Sequence, residues 1–348
     1  MTENIKVIIW GFGAMGSGMA DMLLKKQGVE IVGVCDRNEA RIGKDMYEVL
    51  EMDRGDREPV IITSDINDLA KENFADVALL ATDSFTKGAF DKIKLMLENK
   101  MNVISTAEEM AYPQAQEPEL AKELDKIAKE NSVTVLGTGI NPGFVLDYLV
   151  LALTGTCETV DHISASRVND LSPFGHAVME EQGVGLSKED FEEGVKNGKV
   201  AGHVGFPESI HMVADGIGWN VEKIDETREP IMSNTDRKTK YTEVKAGNVA
   251  GCKQCGYGYI DGNLKIDMEH PQQILPETEG IDTGDYINIK GTPNINMSIK
   301  PEIPGGIGTI AMCINMIPHV LNAGAGLKTM IDLPVPRAIM GDMRDMLD

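Results

Sequence analysis

The chain has 348 residues, of which 33 are Lys or Arg and 55 are Asp or Glu, so its formal net charge is −22. This length predicts two domains at about 150 residues each, and the apolar content of 42% is typical of a soluble globular protein. Such an acidic chain argues against nucleic acid or an anionic membrane as a partner, because both are bound through basic patches. An anionic cofactor stays compatible, since backbone N–H groups at a helix start bind phosphate.

The cysteines and the first residues predict a reduced, cytoplasmic protein. Five cysteines, an odd number, are scattered along the chain. Residues 1–6 run directly into a strand pattern, so no cleavable targeting segment is expected. The longest uncharged stretch, residues 303–327, contains prolines, glycines and a histidine, which favours a buried helix over a membrane span. Cys252 and Cys255 have no second ligand pair at metal spacing, so strand or turn cysteines are expected and no metal site.

Strand and helix patterns alternate through the first 140 residues. The predicted strands are Lys6–Trp10, Glu30–Cys35, Asp76–Ala81, Asn102–Ser105 and Val133–Leu136. The predicted helices are Ala14–Lys26, Asn38–Glu51, Phe85–Lys100 and Glu117–Asn131. This alternation predicts an α/β fold whose parallel, doubly wound sheet is covered by helices on both faces.

Strand patterns dominate the second half, with occasional helices. The predicted strands are Thr159–Val168, Tyr241–Ala246, Tyr257–Ile260, Asn263–Met268, Asp285–Ile289 and Ile295–Ile299. Asp261-Gly262 predicts a type I′ hairpin turn, and Ser187 with Asp190 predicts a helix start that leads to an end near Gly194. An apolar helix is expected at Gly308–Asn322. We therefore expect a Rossmann-type domain at 1–140, an α+β domain with a mixed or mostly antiparallel sheet at 141–307, and a C-terminal helix and tail at 308–348 that pack back on the first domain.

A glycine-rich turn between the first strand and helix predicts dinucleotide binding. In the pattern Gly11-x-Gly13-x-x-Gly16, the glycines allow a tight turn, close approach of a pyrophosphate, and close packing of helix on strand. Asp36 ends the second strand twenty residues later, where a carboxylate accepts the ribose hydroxyls. Arg37 pairs with a 2′-phosphate or is simply solvated, so the chain is expected to use NAD or NADP. The predicted cofactor contacts are Gly11, Gly13, Ala14, Met15, Gly16, Asp36, Arg37, Ala81, Thr82, Thr106 and Asn141.

Polar residues follow the later strands of this sheet. Ligands of open α/β sheets bind at the carboxyl ends of the strands, which is where Thr106-Ala107-Glu108-Glu109 lies. One acid is expected to face the ligand while the other caps a neighbouring segment; alternatively, both are acids favoured by a helix dipole. The loop Gly137–Gly143 is expected beside the nicotinamide end of the cofactor.

The second half offers candidates for substrate binding. Arg167 and Asn169 share one face of a strand by period two, which favours a carboxylate site, with a surface ion pair as the competing interpretation. His270 follows a hairpin strand, and a lone His is more often structural than catalytic. Thr309 lies near a glycine-rich helix start, where it caps free N–H groups or contacts a ligand.

Five stretches of the chain together resemble the 2,4-diaminopentanoate dehydrogenase family, which is related to the native amine dehydrogenases. They are Trp10–Gly16, Ser105–Pro113, Gly137–Phe144, Gly202–Ser209 and Gly305–Thr309. The resemblance implies a C-terminal domain similar to dihydrodipicolinate reductase, a homodimer, and NAD or NADP as the oxidant. It also implies Glu108 as the catalytic group and, as substrate-binding residues, Asn141, Arg167, Asn169, His270 and Thr309.

The activity implied by the resemblance is oxidative deamination of 2,4-diaminopentanoate at C4, in ornithine degradation, with Arg167 on the substrate carboxylate. Dihydrodipicolinate reductase would need a His-His pair, which the sequence lacks. Activity of the diaminopimelate dehydrogenase type or a broader amine dehydrogenase stays open. A dinucleotide-sensing regulator without turnover is the alternative from another class, and Glu108 together with the acidic charge speaks against it.

Overall fold

A computed structural model describes residues 3–348, which form two compact units. Unit 1 consists of Met1–Phe144 and Gly305–Asp348, and unit 2 of Val145–Pro304. The C-terminal segment is therefore part of unit 1, and the boundaries lie a few residues from the predicted ones. Within residues 3–348, none of the helices has the length and apolar character that crossing a membrane would need.

Unit 1 contains a seven-stranded, fully parallel sheet with the strand order β15-β6-β5-β4-β1-β2-β3. Its strands are β1 (Ile5–Trp10), β2 (Val29–Cys35), β3 (Ile62–Thr63), β4 (Val77–Leu80), β5 (Asn102–Ser105), β6 (Thr134–Gly137) and β15 (Gly326–Lys328). The chain runs from β1 outward to β3 and then returns to β4 on the other side of β1. This reversal opens a crevice at the carboxyl end of β1, where such sheets bind their ligands.

The helices of unit 1 are α1 (Ala14–Leu23), α2 (Met46–Val49), α3 (Thr86–Glu98), α4 (Pro118–Glu130), α9 (Gly305–Asn315) and α10 (Ile317–Asn322). In α3, Ala89, Ile93 and Met96 recur at helical spacing and are buried in the core beside the sheet. The predicted parallel sheet is thus confirmed, together with three of its flanking helices, α1, α3 and α4.

Two predicted helices of unit 1 are wrong in extent. Asn38–Glu51 forms turns followed only by the short α2, because Gly43 has a φ of +78° and the Asp45 side chain starts a new helix by accepting from the Tyr47 N–H. The expected helix Gly308–Asn322 is divided into α9 and α10. Pro318 lies in the first turn of α10, where its missing N–H costs no helical hydrogen bond.

Unit 2 contains a six-stranded mixed sheet with the order β14-β13-β7-β12-β11-β8 and a separate two-stranded ribbon of β9 and β10. The strands are β7 (Thr159–Asp170), β8 (Lys223–Met232), β9 (Arg237–Lys238), β10 (Glu243–Val244), β11 (Val249–Ile260), β12 (Asn263–Gln273), β13 (Gly284–Thr292) and β14 (Ile295–Ile299). The β11–β12 hairpin is confirmed, with φ of +50° at Asp261 and +70° at Gly262. Only β7 and β12 pair in parallel, so the sheet is mixed.

Helices cover one face of this sheet. They are α5 (Tyr148–Thr154), α6 (His176–Glu181), α7 (Lys188–Lys196) and α8 (Phe206–Gly216). The sequence predicted α7 and a helix after the Gly137–Gly143 loop, where α5 lies, but neither α6 nor α8. A Cβ on Gly256 would lie 3.0 Å from the Phe206 ring, and one on Gly258 would lie 2.7 Å from Ile210. These glycines let α8 approach the sheet closely. They therefore position the loop before α8, which contains His203, along the strands.

Candidate active site

The glycine-rich turn of unit 1 has the geometry that a pyrophosphate site requires. Gly11 has a φ of +94°, and a Cβ there would lie 2.5 Å from the Ala81 oxygen. A Cβ on Gly16 would lie 1.8 Å from the Gly11 oxygen, so the third glycine permits close packing of the helix on the turn. A Cβ on Gly13 would meet nothing within 4 Å. The open space therefore lies at the start of α1, where free N–H groups bind anions, and these residues fit a dinucleotide.

Asp36 holds the same turn from the end of β2. Its Oδ2 accepts from the Phe12 N–H at 2.5 Å, and its Oδ1 accepts from the Asn38 N–H at 2.6 Å. Each carboxylate oxygen has a second lone pair, so both remain able to accept from a ribose hydroxyl. Arg37 is exposed and makes no hydrogen bond or ion pair with residues 3–348, so its contact with a 2′-phosphate stays a prediction.

The remaining predicted cofactor residues line the carboxyl edge of the sheet. Ala81 and Thr106 extend β4 and β5, where they donate backbone hydrogen bonds to the oxygens of Trp10 and Leu80. Thr82 lies beside the Gly11 turn, because a Cβ on Gly11 would be 2.8 Å from its methyl group. Ala14 and Met15 begin α1, and Asn141 lies in the loop after β6.

The two adjacent acids after β5 occupy different environments. Glu109 is buried, and its carboxylate accepts from the Thr86 N–H at 2.7 Å, so that it caps the start of α3. This helix lacks a capping side chain of its own, since Phe85 precedes Thr86. Glu108 is half-buried at the same edge of the sheet as the glycine turn. The two acids therefore differ in burial and in role, and a catalytic role of Glu108 stays a prediction.

The loop after β6 is attached to α9. The Thr309 hydroxyl accepts from the Ile140 N–H at 3.2 Å, and the Cys313 thiol lies 3.8 Å from the Thr138 oxygen. Thr309 does not cap the helix start, because α9 begins four residues earlier at Gly305. It instead positions the Gly137–Gly143 loop, and its contact with substrate stays a prediction.

In unit 2, the structure gives Arg167 a counter-ion that the sequence analysis did not identify. The Nη1 of Arg167 lies 2.5 Å from Oδ1 of Asp285, with both side chains buried. Asp285 also accepts from the Ile303 N–H, and Arg167 donates to the Ile303 oxygen. The ion-pair interpretation is thus confirmed, but the pair is buried rather than at the surface. Arg167 therefore already has a carboxylate partner within unit 2, and its contact with a substrate carboxylate stays a prediction.

Two histidines lie next to this ion pair. His270 of β12 is level with Arg167 of β7, because the flanking residues of the two strands pair in one continuous parallel register. The His203 and His270 rings meet edge to face, with centroids 4.7 Å apart. Gln254 positions His203 through two hydrogen bonds to the His203 backbone. The Gln254 Oε1 accepts from the backbone N–H at 2.7 Å, and the Gln254 Nε2 donates to the backbone oxygen at 3.0 Å.

Both histidines are neutral near pH 7. Burial, with the positive charges of Arg167 and Arg228, lowers the pKa of His203 to about 3. Burial, His203 and Arg167 lower the pKa of His270 well below its ordinary value. A neutral imidazole carries one N–H donor and one nitrogen acceptor, so neither ring brings a positive charge to this part of unit 2.

Asn169 has an unused hydrogen-bonding atom. Its side chain is 6% exposed, and its Oδ1 accepts no hydrogen bond from the residues that the structure describes. A buried amide oxygen without a donor costs free energy, so such an atom indicates a water or a ligand with an N–H or O–H group. Its predicted role in substrate binding fits this observation.

The structure gathers the predicted residues into two groups, one in each unit, and adds others. Sequence reasoning missed Arg41, His203, Gln254 and Asp285. His203 lies in the Gly202–Ser209 stretch that carried part of the resemblance, but nothing local marked its ring as part of a site. Cys252 and Cys255 are three residues apart in β11, so their side chains lie on opposite faces of the sheet. Among residues 3–348, no cluster of three His, Cys, Asp or Glu is arranged to hold a metal ion.

Comparisons with known proteins agree with this organisation. Residues 144–348 match the family model described as the 2,4-diaminopentanoate dehydrogenase C-terminal domain, and residues 5–136 match that of the dihydrodipicolinate reductase N-terminus. The 2,4-diaminopentanoate dehydrogenase of Acetoanaerobium sticklandii is 63% identical over 346 residues, which cover 99% of this chain and 98% of that protein. An amine dehydrogenase of Streptomyces virginiae is 25% identical, over 96% of this chain and 98% of the other.

The solved structure of an amine dehydrogenase from Mycobacterium smegmatis superposes with a TM-score of 0.86. It is 25% identical, and the match covers 97% of this chain and 98% of that one. The fold, the glycine turn and the family matches define an NAD(P)-dependent oxidoreductase with a Rossmann-type unit and a mixed-sheet unit. The chain belongs to the 2,4-diaminopentanoate dehydrogenase family.

Proposed function

We propose that the protein oxidises 2,4-diaminopentanoate at C4 to 2-amino-4-oxopentanoate and ammonia with NAD or NADP. The high identity to the Acetoanaerobium sticklandii enzyme over nearly the whole chain supports this substrate. Within the site, the observation that carries the proposal is that the adjacent acids Glu108 and Glu109 differ in environment. Glu109 is buried and caps α3, whereas Glu108 is half-buried at the edge of the sheet where the glycine turn lies.

Glu108 serves as the general base. The substrate arrives as an ammonium, which cannot release electrons into a forming C=N bond until it loses a proton. The Glu108 carboxylate holds the ammonium and takes that proton. The bound nicotinamide supplies a hydride acceptor for the C4 hydrogen. Loss of the hydride leaves an iminium ion, and Glu108 gives its first proton up to solvent. Glu108 then takes a proton from the water that adds to the iminium carbon and passes it to the nitrogen, so that the C–N bond breaks while the C=O bond forms and the hydroxyl proton leaves with ammonia as ammonium.

The family resemblance also implies substrate contacts among the polar side chains of unit 2. Arg167 is neutralised by Asp285, so recognition of the substrate carboxylate rests on the remaining guanidinium N–H groups and on the neutral His270 ring. The Oδ1 of Asn169 accepts from the 2-ammonium group, which fits its lack of a donor among the described residues. In unit 1, the family resemblance implies Asn141 and Thr309 as substrate-binding residues.

The test is NAD(P) reduction by the purified protein with a panel of amines. We expect the highest kcat/KM for 2,4-diaminopentanoate, with lower values for diaminopimelate and for simple alkyl amines. Substrate deuterated at C4 should yield deuterated reduced cofactor, which mass spectrometry detects. Because two relatives are amine dehydrogenases, a preference for amines without a carboxylate is the second candidate. Such a preference would overturn the proposed substrate.

We also propose that the protein is a cytoplasmic homodimer that acts in ornithine degradation. The family resemblance supports the dimer, and the face of the unit 2 sheet opposite the helices supports it further. That face is partly exposed and carries Tyr257, Tyr259 and Tyr286. Light scattering coupled to size exclusion should give twice the chain mass of 37.8 kDa, whereas a single chain mass would contradict the dimer.

A further inference from the structure

Arg41 makes a contact with the glycine-rich turn that the sequence did not predict. Its Nη1 donates to the Phe12 oxygen at 2.5 Å and lies 3.6 Å from Oδ2 of Asp36. The Phe12 N–H in turn donates to the same Asp36 oxygen. Arg41 and Asp36 therefore hold the two polar groups of Phe12, which lies between Gly11 and Gly13.

The turns after β2 make this contact geometrically feasible. In place of the expected helix, the chain forms a tight turn in which the Arg41 N–H donates to the Asn38 oxygen. The turn brings the guanidinium back over the end of β2, with the side chain 31% exposed. Its Nε and Nη2 groups make no hydrogen bond with residues 3–348, so they stay available to a ligand.

Charge at the ribose site decides which cofactor is accepted. A carboxylate such as Asp36 accepts from ribose hydroxyls but repels a 2′-phosphate. A guanidinium 3.6 Å away offsets that repulsion and adds N–H donors for the phosphate oxygens. Arg37, the expected phosphate partner, is exposed and makes no contact with the described residues that would direct its side chain.

We propose that Arg41 is the specificity-determining residue that admits NADP, by pairing with the 2′-phosphate while it shields Asp36. This inference depends on one part of the proposed function, namely that the protein uses both NAD and NADP. Its test measures cofactor binding without substrate, so its failure and the failure of the proposed substrate are distinguishable.

The experiment is titration calorimetry of NAD and NADP with the full-length protein and four variants. Arg41→Ala should raise the Kd for NADP tenfold or more and the Kd for NAD about threefold at most. Arg41→Lys should keep most of the NADP affinity, because it keeps the charge. Arg41→Gln should lose NADP affinity as Arg41→Ala does, because it keeps an N–H donor for Phe12 but no charge. The matched control Arg37→Ala should change the NADP-to-NAD ratio less than threefold.

Equal losses for both cofactors in Arg41→Ala would overturn the proposal and leave Arg41 as a structural support of the turn. A larger change of the ratio in Arg37→Ala would overturn it in favour of Arg37. The pair Asp36→Asn and Asp36→Asn/Arg41→Ala gives a second check. If Arg41→Ala no longer changes the ratio once Asp36 is neutral, Arg41 acts only by shielding, and direct pairing with phosphate is wrong. Thermal unfolding of each variant verifies that it is folded.

Discussion

Arg167 of β7 and Asp285 of β13 form a buried ion pair that also binds the backbone of Ile303. The Ile303 N–H donates to Asp285, and the Ile303 oxygen accepts from Arg167. Ile303 precedes Pro304, the last residue of unit 2. Burial raises the pKa of Asp285 even though Arg167 acts to lower it. Burial thus disfavours the ionised form of Asp285 and the Arg167 guanidinium favours it, so each partner depends on the other.

The stability of this pair is testable by removing one partner. Asp285→Asn should destabilise the protein by about 3–5 kcal/mol in urea unfolding, because it leaves the Arg167 charge buried and unpaired. The double variant Arg167→Met/Asp285→Leu should regain most of that loss, since an apolar pair needs no compensation. Lys245→Ala, at an exposed ion pair, should have little effect. If the losses of Arg167→Met and Asp285→Leu, each measured singly, simply add up in the double variant, the two residues are not coupled.

The substrate role of Arg167 calls for a kinetic measurement. Arg167→Met should raise KM for 2,4-diaminopentanoate steeply but do less to an amine that lacks the carboxylate. Asp285→Asn, which keeps the guanidinium and removes its counter-ion, should not raise KM for the diamino acid. If Arg167→Met harms both substrates alike, Arg167 is structural, and His270 becomes the main carboxylate partner.

Substitutions of Glu108 and Glu109 should have different effects, the first on catalysis and the second on stability. Glu108→Gln keeps the size of the side chain but cannot take a proton, so kcat should fall about 10²–10⁴-fold while the Kd for NAD stays near wild type. Glu109→Gln should reduce kcat much less and lower the free energy of unfolding by about 0.5–2 kcal/mol, because it weakens the cap of α3. Should Glu109→Gln be the inactive variant, the roles are reversed. If kcat falls only a few-fold in both variants, neither carboxylate is the general base.

The glycine turn allows a paired test of binding against folding. Gly13→Val places its side chain in open space at the start of α1, so the melting temperature should hold while binding of NAD and NADP is lost. Gly16→Val drives a Cβ into the Gly11 oxygen, so it should lower the melting temperature markedly. Calorimetric titration and thermal unfolding of both variants give the comparison. Retained dinucleotide affinity in Gly13→Val would place the pyrophosphate elsewhere.

The buried histidines predict a loss of stability in acid. His270 has a pKa well below its ordinary value, so below about pH 6.5 the unfolded chain binds a proton at this residue that the folded chain does not. Stability is therefore full above that pH and falls as the pH drops, by about 1.4 kcal/mol per pH unit for this residue. Between pH 7 and 5, His270→Gln should lose less stability than wild type in urea unfolding. The exposed control His176→Gln should match wild type. An unchanged profile in His270→Gln would mean that folding does not lower the pKa of His270.

The sequence alone determined those features that depend on neighbouring residues. The Gly11–Gly16 turn, the Asp261-Gly262 hairpin and the Ser187 cap of α7 were predicted because each rests on backbone conformation or on hydrogen bonds within a few residues. The parallel sheet of unit 1 followed from its alternating periods for the same reason. Where a local pattern was ambiguous, as in the apolar spacing of Asn38–Glu51, Gly43 and Asp45 produced turns and only a short helix.

Only the tertiary structure decided which polar groups pair. Arg167 and Asp285 are 118 residues apart in the chain, and Glu109 caps a helix that begins 23 residues before it. His203 meets His270 because α8 packs on glycines of β11 and brings the preceding loop to that level of the sheet. Such partners are set by strand register and helix packing, which depend on the burial of the whole apolar face rather than on the residues beside each group. The sequence therefore indicated which types of residue form the site, while the fold determined which of these side chains contact one another.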